Sequence, residues 1–341
     1  MTRRLVIDFA IGALAWRIPR SAVQAIAEAL GPGWEVVDVE APVREGELGL
    51  GTREAVRAVR GAEIYLGYGV PAAVAAEAQG TLRWAHSGTA GIGESLAHLV
   101  GAGVLLTNSA AIHAEPIADW VVAVLGYFAR GLDRMRTAQA EAHWARRDFS
   151  EMRVPVFEFR DLRVGVFGLG GIGSAVARRA LSLGMTVAGV RRRPERGGPE
   201  GVAWVGGPAD LPRLAAGSDV LVITAPETRT SRGAVNRGVL AQLPDNAVVV
   251  NVARGSLLDE AALLDELNRG RLRGAALDVF AEEPLPPDHP FWAQPRVLVS
   301  PHVGAVTARF WDRETGLIVE NIRRYLAGMP LLNVVDQEAG Y

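Results

Sequence analysis

Three charged residues of this 341-residue chain each follow a short apolar run, and together they could compose a reaction centre. Arg254 stands in Asn251-Val-Ala-Arg-Gly-Ser256, directly after Val248-Val-Val250. Glu283 lies in Asp278-Val-Phe-Ala-Glu-Glu283-Pro-Leu285, and His302 in Ser300-Pro-His-Val-Gly304. Reducing the carbonyl of a small oxo acid takes a cation for the carboxylate and carbonyl, an acid to protonate the developing alkoxide, and a carboxylate to tune that acid. Guanidinium, imidazole and carboxylate supply these in turn. Taken singly, a surface Arg, a supporting Glu and a structural His are the plainer readings. Their shared placement at strand ends of one sheet favours a catalytic set.

A second group of residues could hold a nucleotide. In Arg163-Val-Gly-Val-Phe-Gly168-Leu-Gly170-Gly-Ile-Gly173, the residues Gly168, Gly170 and Gly173 fit G-x-G-x-x-G, with Gly171 and Ile172 between the last two. Gly168 permits a tight turn, Gly170 lets backbone approach a pyrophosphate, and Gly173 lets helix pack close to sheet. A helix follows over Ser174 to Leu183, closed by Gly184, and then a second strand over Met185 to Val190. NAD-binding versions place an acid at the end of that strand to hold the ribose 2′-hydroxyl. Here the position is Arg191, followed by Arg192 and Arg193. Guanidinium groups bind a 2′-phosphate with paired hydrogen bonds, so the run favours NADP over NAD. The bland alternative is a solvated charge run before a loop.

These groups need elements to position them. Apolar runs at 4–9, 34–39, 63–66, 82–86 and 103–106 alternate with helical patterns at 20–30, 52–60 and 71–79, which predicts a small α/β domain. Ser87-Gly-Thr-Ala-Gly-Ile-Gly93 follows the fourth run, and its small residues suit either an anion nest or a plain turn. A helix starts at His113, and a polar, Arg-rich segment fills 130–160. The glycine turn then opens a repeated β/α pattern, with strands at 219–223, 247–252, 273–278 and 296–300 and helices near 209–216, 237–242 and 259–269. That order predicts a doubly wound parallel sheet, with ligands beyond the carboxyl ends of its strands. A final helix over 306–327 is long enough to complete the first domain. The expected organisation is a discontinuous substrate domain, 1–108 with 305–341, interrupted by a dinucleotide-binding domain, 109–304.

Composition narrows the chemistry. There is no cysteine, and all 36 basic residues are arginine. Thiolate nucleophiles, iron–sulfur clusters, Schiff-base lysines and the P-loop lysine are therefore excluded. No metal site is assigned. The net charge of −2 makes no electrostatic case for nucleic acid or an anionic membrane. The longest apolar run, Trp120 to Ala129, is too short to span a bilayer. An acid at position 8 argues against a signal peptide, so a cytoplasmic protein is expected.

The Arg254, Glu283 and His302 segments, with the glycine turn and Pro226-Glu-Thr-Arg-Thr230, resemble the D-isomer-specific 2-hydroxyacid dehydrogenase family over roughly residues 105–305. The resemblance implies that Arg254 binds a 2-oxo acid, that His302 is the acid/base, and that Glu283 hydrogen-bonds it. It implies coenzyme contacts at Pro226, Thr230 and Ala253, with Thr230 near the pyrophosphate and Asp278 near the nicotinamide amide. It implies that the backbone of Ser87, Gly88, Thr89, Ala90 and Gly91 takes the substrate carboxylate, and that a homodimer forms. Gly93 and Asp119 depart from residues common in the family. Glu283 disfavours formate as substrate, and the Arg191–Arg193 run is similar to that of NADPH-using glyoxylate and hydroxypyruvate reductases. The expected reaction is reduction of a small 2-oxo acid to its D-2-hydroxy acid. A coenzyme-binding corepressor-like scaffold is the alternative from another class.

Overall fold

The computed structural model describes residues 3–41, 51–99, 101–110 and 112–336. The chain divides into two compact units, Met1–His113 with Val306–Tyr341, and Ala114–Ala305. In the first, β1 (Arg3–Asp8), α1 (Arg20–Leu30), β2 (Trp34–Asp38), α2 (Arg53–Ala58), β3 (Ile64–Gly67), α3 (Ala72–Glu77), β4 (Trp84–Ser87), α4 (Gly93–Leu99) and β5 (Leu105–Asn108) alternate. Every strand pair is parallel, in the order β2-β1-β3-β4-β5. Leu5, Val6 and Ile7 of β1 are fully buried, as strands covered on both faces must be. The α1 helix presents Ala22, Ile26 and Leu30, four residues apart, to the core.

The second unit begins with three helices, α5 (Ala114–Ala129), α6 (Leu132–Ala140) and α7 (Arg146–Ser150). It continues with β6 (Arg163–Phe167), α8 (Gly171–Ser182), β7 (Thr186–Val190), β8 (Trp204–Gly206), α9 (Leu211–Ala216) and β9 (Val220–Ile223). Then follow α10 (Arg237–Leu240), β10 (Val248–Asn251), α11 (Glu260–Asn268), β11 (Gly274–Leu277) and β12 (Val297–Val299). The last helix, α12 (Phe310–Leu326), belongs to the first unit. The second sheet is also parallel, in the order β12-β11-β10-β9-β6-β7-β8. Val220, Val222, Val248 and Val250 face the α5 and α8 side, while Leu221, Ile223 and Val249 face α9, α10 and α11. Helices thus cover both faces, giving the doubly wound α/β architecture expected from the alternating pattern. Among the described residues no helix is long and apolar enough to cross a membrane.

The register brings the strand ends level. Phe167 pairs with Val190 and Ile223, Asn251 with Ile223 and Leu277, and Leu277 with Val299. Gly168, Arg191, Thr224, Asp278 and Ser300 therefore leave the sheet at one edge. The order reverses between β6 and β9, the switch point where open α/β sheets leave a crevice. Three details differ from expectation. The strand β8 has three residues and ends in glycine, too short to carry a period. The helix α4 follows the small-residue run, where no helix was expected. The last helix starts at Phe310 rather than 306, because the chain turns at Thr307, which accepts the Arg309 N–H on its hydroxyl and the Phe310 N–H on its carbonyl.

Gly255 shows how closely this edge is packed. A Cβ there would stand 1.8 Å from the carbonyl carbon of Phe280 and 2.1 Å from the nitrogen of Ala281. The obstacle is backbone, which cannot swing aside, so Gly255→Ala should cost at least about 3 kcal/mol. The expected drop in Tm is roughly 6 °C or more for a domain of this size. A melting scan in which the variant keeps the wild-type Tm would remove the packing argument.

Candidate active site

Arg254 leaves β10 in extended backbone, half-buried. Its position is fixed by Asn251, a fully buried residue at the strand end. The Asn251 Oδ1 accepts from the Ala253 N–H at 3.1 Å, and its Nδ2 donates to the Arg254 carbonyl at 3.0 Å. Arg254 itself donates from Nη1 to the Ala253 carbonyl at 2.6 Å. Buried Ala253 is thus the floor of the turn that presents the guanidinium.

Glu283 joins two segments. Its Oε1 accepts the Phe280 N–H at 2.9 Å, and its Oε2 lies 2.7 Å from His302 Nδ1. A neighbouring carboxylate, Glu260, holds the same loop through the Ala281 N–H at 2.8 Å. Burial pushes the Glu283 carboxyl up, but the hydrogen bonds from His302 and Phe280 and the charges of His302 and Arg254 outweigh it, so Glu283 titrates below the usual range. A carboxylate accepts, so His302 carries its proton on Nδ1 toward Glu283. Nε2 has no partner among the described residues, and His302 is half exposed. The structure thus brings Arg254, Glu283 and His302 into one electrostatic group.

His302 has φ 55, a left-handed conformation that is uncommon for a residue with a side chain. Asp278 secures it. The Asp278 Oδ1 accepts from the Ser300 hydroxyl at 2.5 Å and the Val303 N–H at 2.9 Å, and Oδ2 accepts from the Gly304 N–H at 2.9 Å. A Cβ at Gly304 would meet that Oδ2 at 2.8 Å. Asp278 is 4% exposed, and its carboxylate is engaged by the turn that carries the histidine. Nothing in the sequence around Asp278 gives a sign of this role.

The glycine turn has two kinds of position. A Cβ on Gly168 (φ 109) would lie 2.4 Å from the Ala225 nitrogen, and one on Gly173 would lie 2.1 Å from the Gly168 carbonyl oxygen. These two glycines are required by the fold. Around Gly170 and Gly171 there is nothing within 4 Å of such a Cβ. The N–H groups of Gly171, Ile172 and Gly173 open α8 and have no intrahelical acceptor, so the turn fits a pyrophosphate. Thr224 closes its far side, donating to the Gly168 carbonyl at 2.8 Å. Exposed Pro226 and Thr230 lie on a loop tied by Ser231, whose hydroxyl donates to the Pro226 carbonyl at 2.7 Å. Arg191 follows β7 directly, half-buried, with Nη1 donating to the Gly197 carbonyl at 2.8 Å; Arg192 is exposed.

In the first unit the Ser87–Gly91 turn follows β4. The Gly88 N–H is committed to the Gly67 carbonyl at 2.8 Å, whereas no acceptor among the described residues takes the N–H groups of Thr89, Ala90 or Gly91. Ser109 braces the turn: its one hydroxyl proton is shared between the Ser87 carbonyl at 3.0 Å and Glu314 Oε1 at 2.9 Å, while its own N–H bonds the Thr89 carbonyl at 3.1 Å. Asn108 Nδ2 adds a bond to the Ala90 carbonyl at 3.0 Å. Beneath lies a buried polar group that the sequence did not disclose. Glu314 Oε1 is 2.9 Å from His86 Nε2 and 2.9 Å from the Ser109 hydroxyl, and His86 Nδ1 is 2.8 Å from Thr107 Oγ1. His86 and Glu314 are both fully buried, so His86 is a support of the turn and has no access to a substrate. The one signal for Glu314 was an acid on the apolar stripe Phe310, Ile318, Ile322 of α12.

Glu283 yields a pH test. Its folded-state titration lies below the usual range, so the stabilisation it contributes is present above the unfolded value of about 4.3 and is lost as pH falls through the folded value. The Tm difference between wild type and Glu283→Gln should therefore be widest near neutral pH and close in acid. A difference that stays constant through the acid range would refute the charged partnership.

Comparison with known proteins agrees with this geometry. Residues 122–304 match the family described as D-isomer specific 2-hydroxyacid dehydrogenase, NAD binding domain. The glyoxylate/hydroxypyruvate reductase A of Yersinia enterocolitica is 34% identical over 257 residues, 75% of each chain. The crystal structure of a D-isomer specific 2-hydroxyacid dehydrogenase from Xanthobacter autotrophicus Py2, in complex with NADPH and MES, is 31% identical, covers 100% of both chains and superposes with a TM-score of 0.80. An NADPH-dependent glyoxylate/hydroxypyruvate reductase from Sinorhizobium meliloti, in complex with NADP and sulfate, is 26% identical over 99% of this chain and 100% of its own, with a TM-score of 0.77. With its glycine turn, its level strand ends and its Arg, Glu and His at those ends, the chain belongs to the D-isomer specific 2-hydroxyacid dehydrogenase family.

Proposed function

We propose that the protein reduces a small 2-oxo acid, of the glyoxylate or hydroxypyruvate kind, to the D-2-hydroxy acid with NADPH. The observation that carries this reading is the His302–Glu283 pair at 2.7 Å, with the proton held on Nδ1, Nε2 open, and Arg254 close enough to act on the same carboxylate. When bound, the coenzyme supplies the hydride. His302 delivers a proton from Nε2 to the carbonyl oxygen, and Glu283 keeps the ring oriented through Nδ1. Arg254 holds the substrate's carboxylate and polarises its carbonyl. In the first unit the open Thr89–Gly91 N–H groups suit a carboxylate, as a substrate unit needs, and the second unit is the coenzyme unit. Gly170, Gly171 and Ile172 would hold the pyrophosphate, with Pro226, Thr230 and Ala253 as further coenzyme contacts and Asp278 near the nicotinamide amide.

The coenzyme choice is supported by three arginines, 191–193, in place of the acid that would bind a ribose hydroxyl. The related structures bound to NADPH and NADP point the same way. A homodimer in the cytoplasm completes the reading.

The test is oxidation of NADPH and of NADH with glyoxylate, hydroxypyruvate and phenylpyruvate. NADPH should give the higher kcat/KM, and Arg191→Asp should weaken it by roughly one to two decades. Equal or better rates with NADH in the wild type would overturn the coenzyme assignment. His302→Ala should lower kcat by about 10²–10⁴ while NADPH still binds; near-normal turnover would sink the mechanism.

A further inference from the structure

Three strands of the second sheet carry functional groups at both ends. The carboxyl ends of β10, β11 and β12 lead to Arg254, Asp278 and His302, while their amino ends are entered from Asn246, Arg273 and Arg296. At the amino ends a cavity of about 360 Å³ is lined by Arg134, Arg153, Arg273 and Arg296, with Asn246 and Gly270. Strands of four residues separate the two ends by roughly 13 Å, so this cavity is distinct from the candidate active site.

Its charges do not balance. Asp133 is buried and answers one positive charge, shared between Arg273 Nη2 at 2.8 Å and Arg134 Nε at 3.5 Å. Arg153 is answered at the surface by Glu151 and Asp148. Of the four guanidinium charges, removing one for Asp133 and one for Arg153 leaves two. Arg296 makes no ion pair among the described residues and donates from Nη1 to the Leu272 carbonyl at 2.8 Å. Arg273 is 4% exposed, and its Nε is buried with no acceptor, although its Nη1 and Nη2 are bonded. Burial lowers the proton affinity of Arg296, and the like charges of Arg134 and Arg273 lower it further, a sign that positive charge has collected here without its counterpart.

We propose that this cavity binds a small dianion of the phosphate or phosphomonoester class. Planar guanidinium groups pair with phosphate oxygens through parallel N–H donors, and two unanswered charges match a dianion. The volume exceeds that of inorganic phosphate and leaves room for a short organic ester.

The experiment is titration calorimetry of the full-length protein with inorganic phosphate and, separately, with glycerol 3-phosphate, in chloride buffer. Wild type should bind phosphate and gain thermal stability by mass action. Arg296→Gln and Arg134→Gln should each weaken binding about tenfold or more, the loss of a charge-assisted pair. Arg237→Gln, which removes an exposed cation paired with Asp265 outside the cavity, should leave that affinity unchanged. The tighter of the two probes identifies the source of the phosphate group. Thermal melts in chloride alone check that each variant is folded, and the two cavity variants guard against one that is not. Phosphate binding equally to wild type, Arg296→Gln and Arg134→Gln would overturn the proposal. So would a cavity filled by a second copy of the chain, seen in light scattering as dissociation of the Arg variants with no response to phosphate.

Discussion

The buried carboxylate of Asp278 is the interaction on which the catalytic edge depends. It emerges from β11 with its N–H bonded to the Asn251 carbonyl, and so is tied to the strand that presents Arg254. From there it gathers the Ser300 hydroxyl and the Val303 and Gly304 N–H groups. Left-handed backbone at His302 costs about 1–3 kcal/mol for a residue with a Cβ. Hydrogen bonds to a charged acceptor contribute about 1.5–3 kcal/mol each, so three of them outweigh that strain. The bonds formed by Asp278 hold the backbone, and Glu283 orients the ring. One carboxylate sets where the histidine stands and the other sets which nitrogen faces outward.

The first unit reaches a comparable result by another route. Its turn after β4 is held from below by Ser109, and Ser109 in turn by Glu314 on the last helix. Such a group is costly to bury unless each member has a partner, and most do: His86 is bonded at both nitrogens, and Thr107 also receives the Trp84 indole N–H at 2.9 Å. Glu314 Oε2 is the exception, buried with no acceptor or donor beside it.

What the sequence disclosed and what it withheld follow from the range of the interactions. Valine-rich runs ending in Asn251 and Ile223 announce buried parallel strands, because the pattern lies within the strand itself. The glycine turn and the residues Arg254, Glu283 and His302 were legible because turn chemistry and strand-end position are local. The bracing residues were not. Asn251 and Asp278 look like ordinary strand-end polar residues, and their function lies in bonds to backbone that only the folded register brings near. The strand β8 left no trace, since three residues ending in Gly206 are too few to show a period of two. The interval between Ser109 and Glu314 is 205 residues, and no spacing rule reaches that far.

That interval also sets an order in time. A ribosome adding about 5–20 residues per second needs on the order of 10–40 s to travel from Ser109 to Glu314. Throughout, the nascent first unit has its strands but lacks the carboxylate that His86 and Ser109 require, and the apolar stripe of α12 that covers its core. The segment 114–305, whose strands and helices are contiguous in the chain, meets no such delay. During synthesis the inserted unit can therefore mature first, while the unit that begins the chain waits for its last helix.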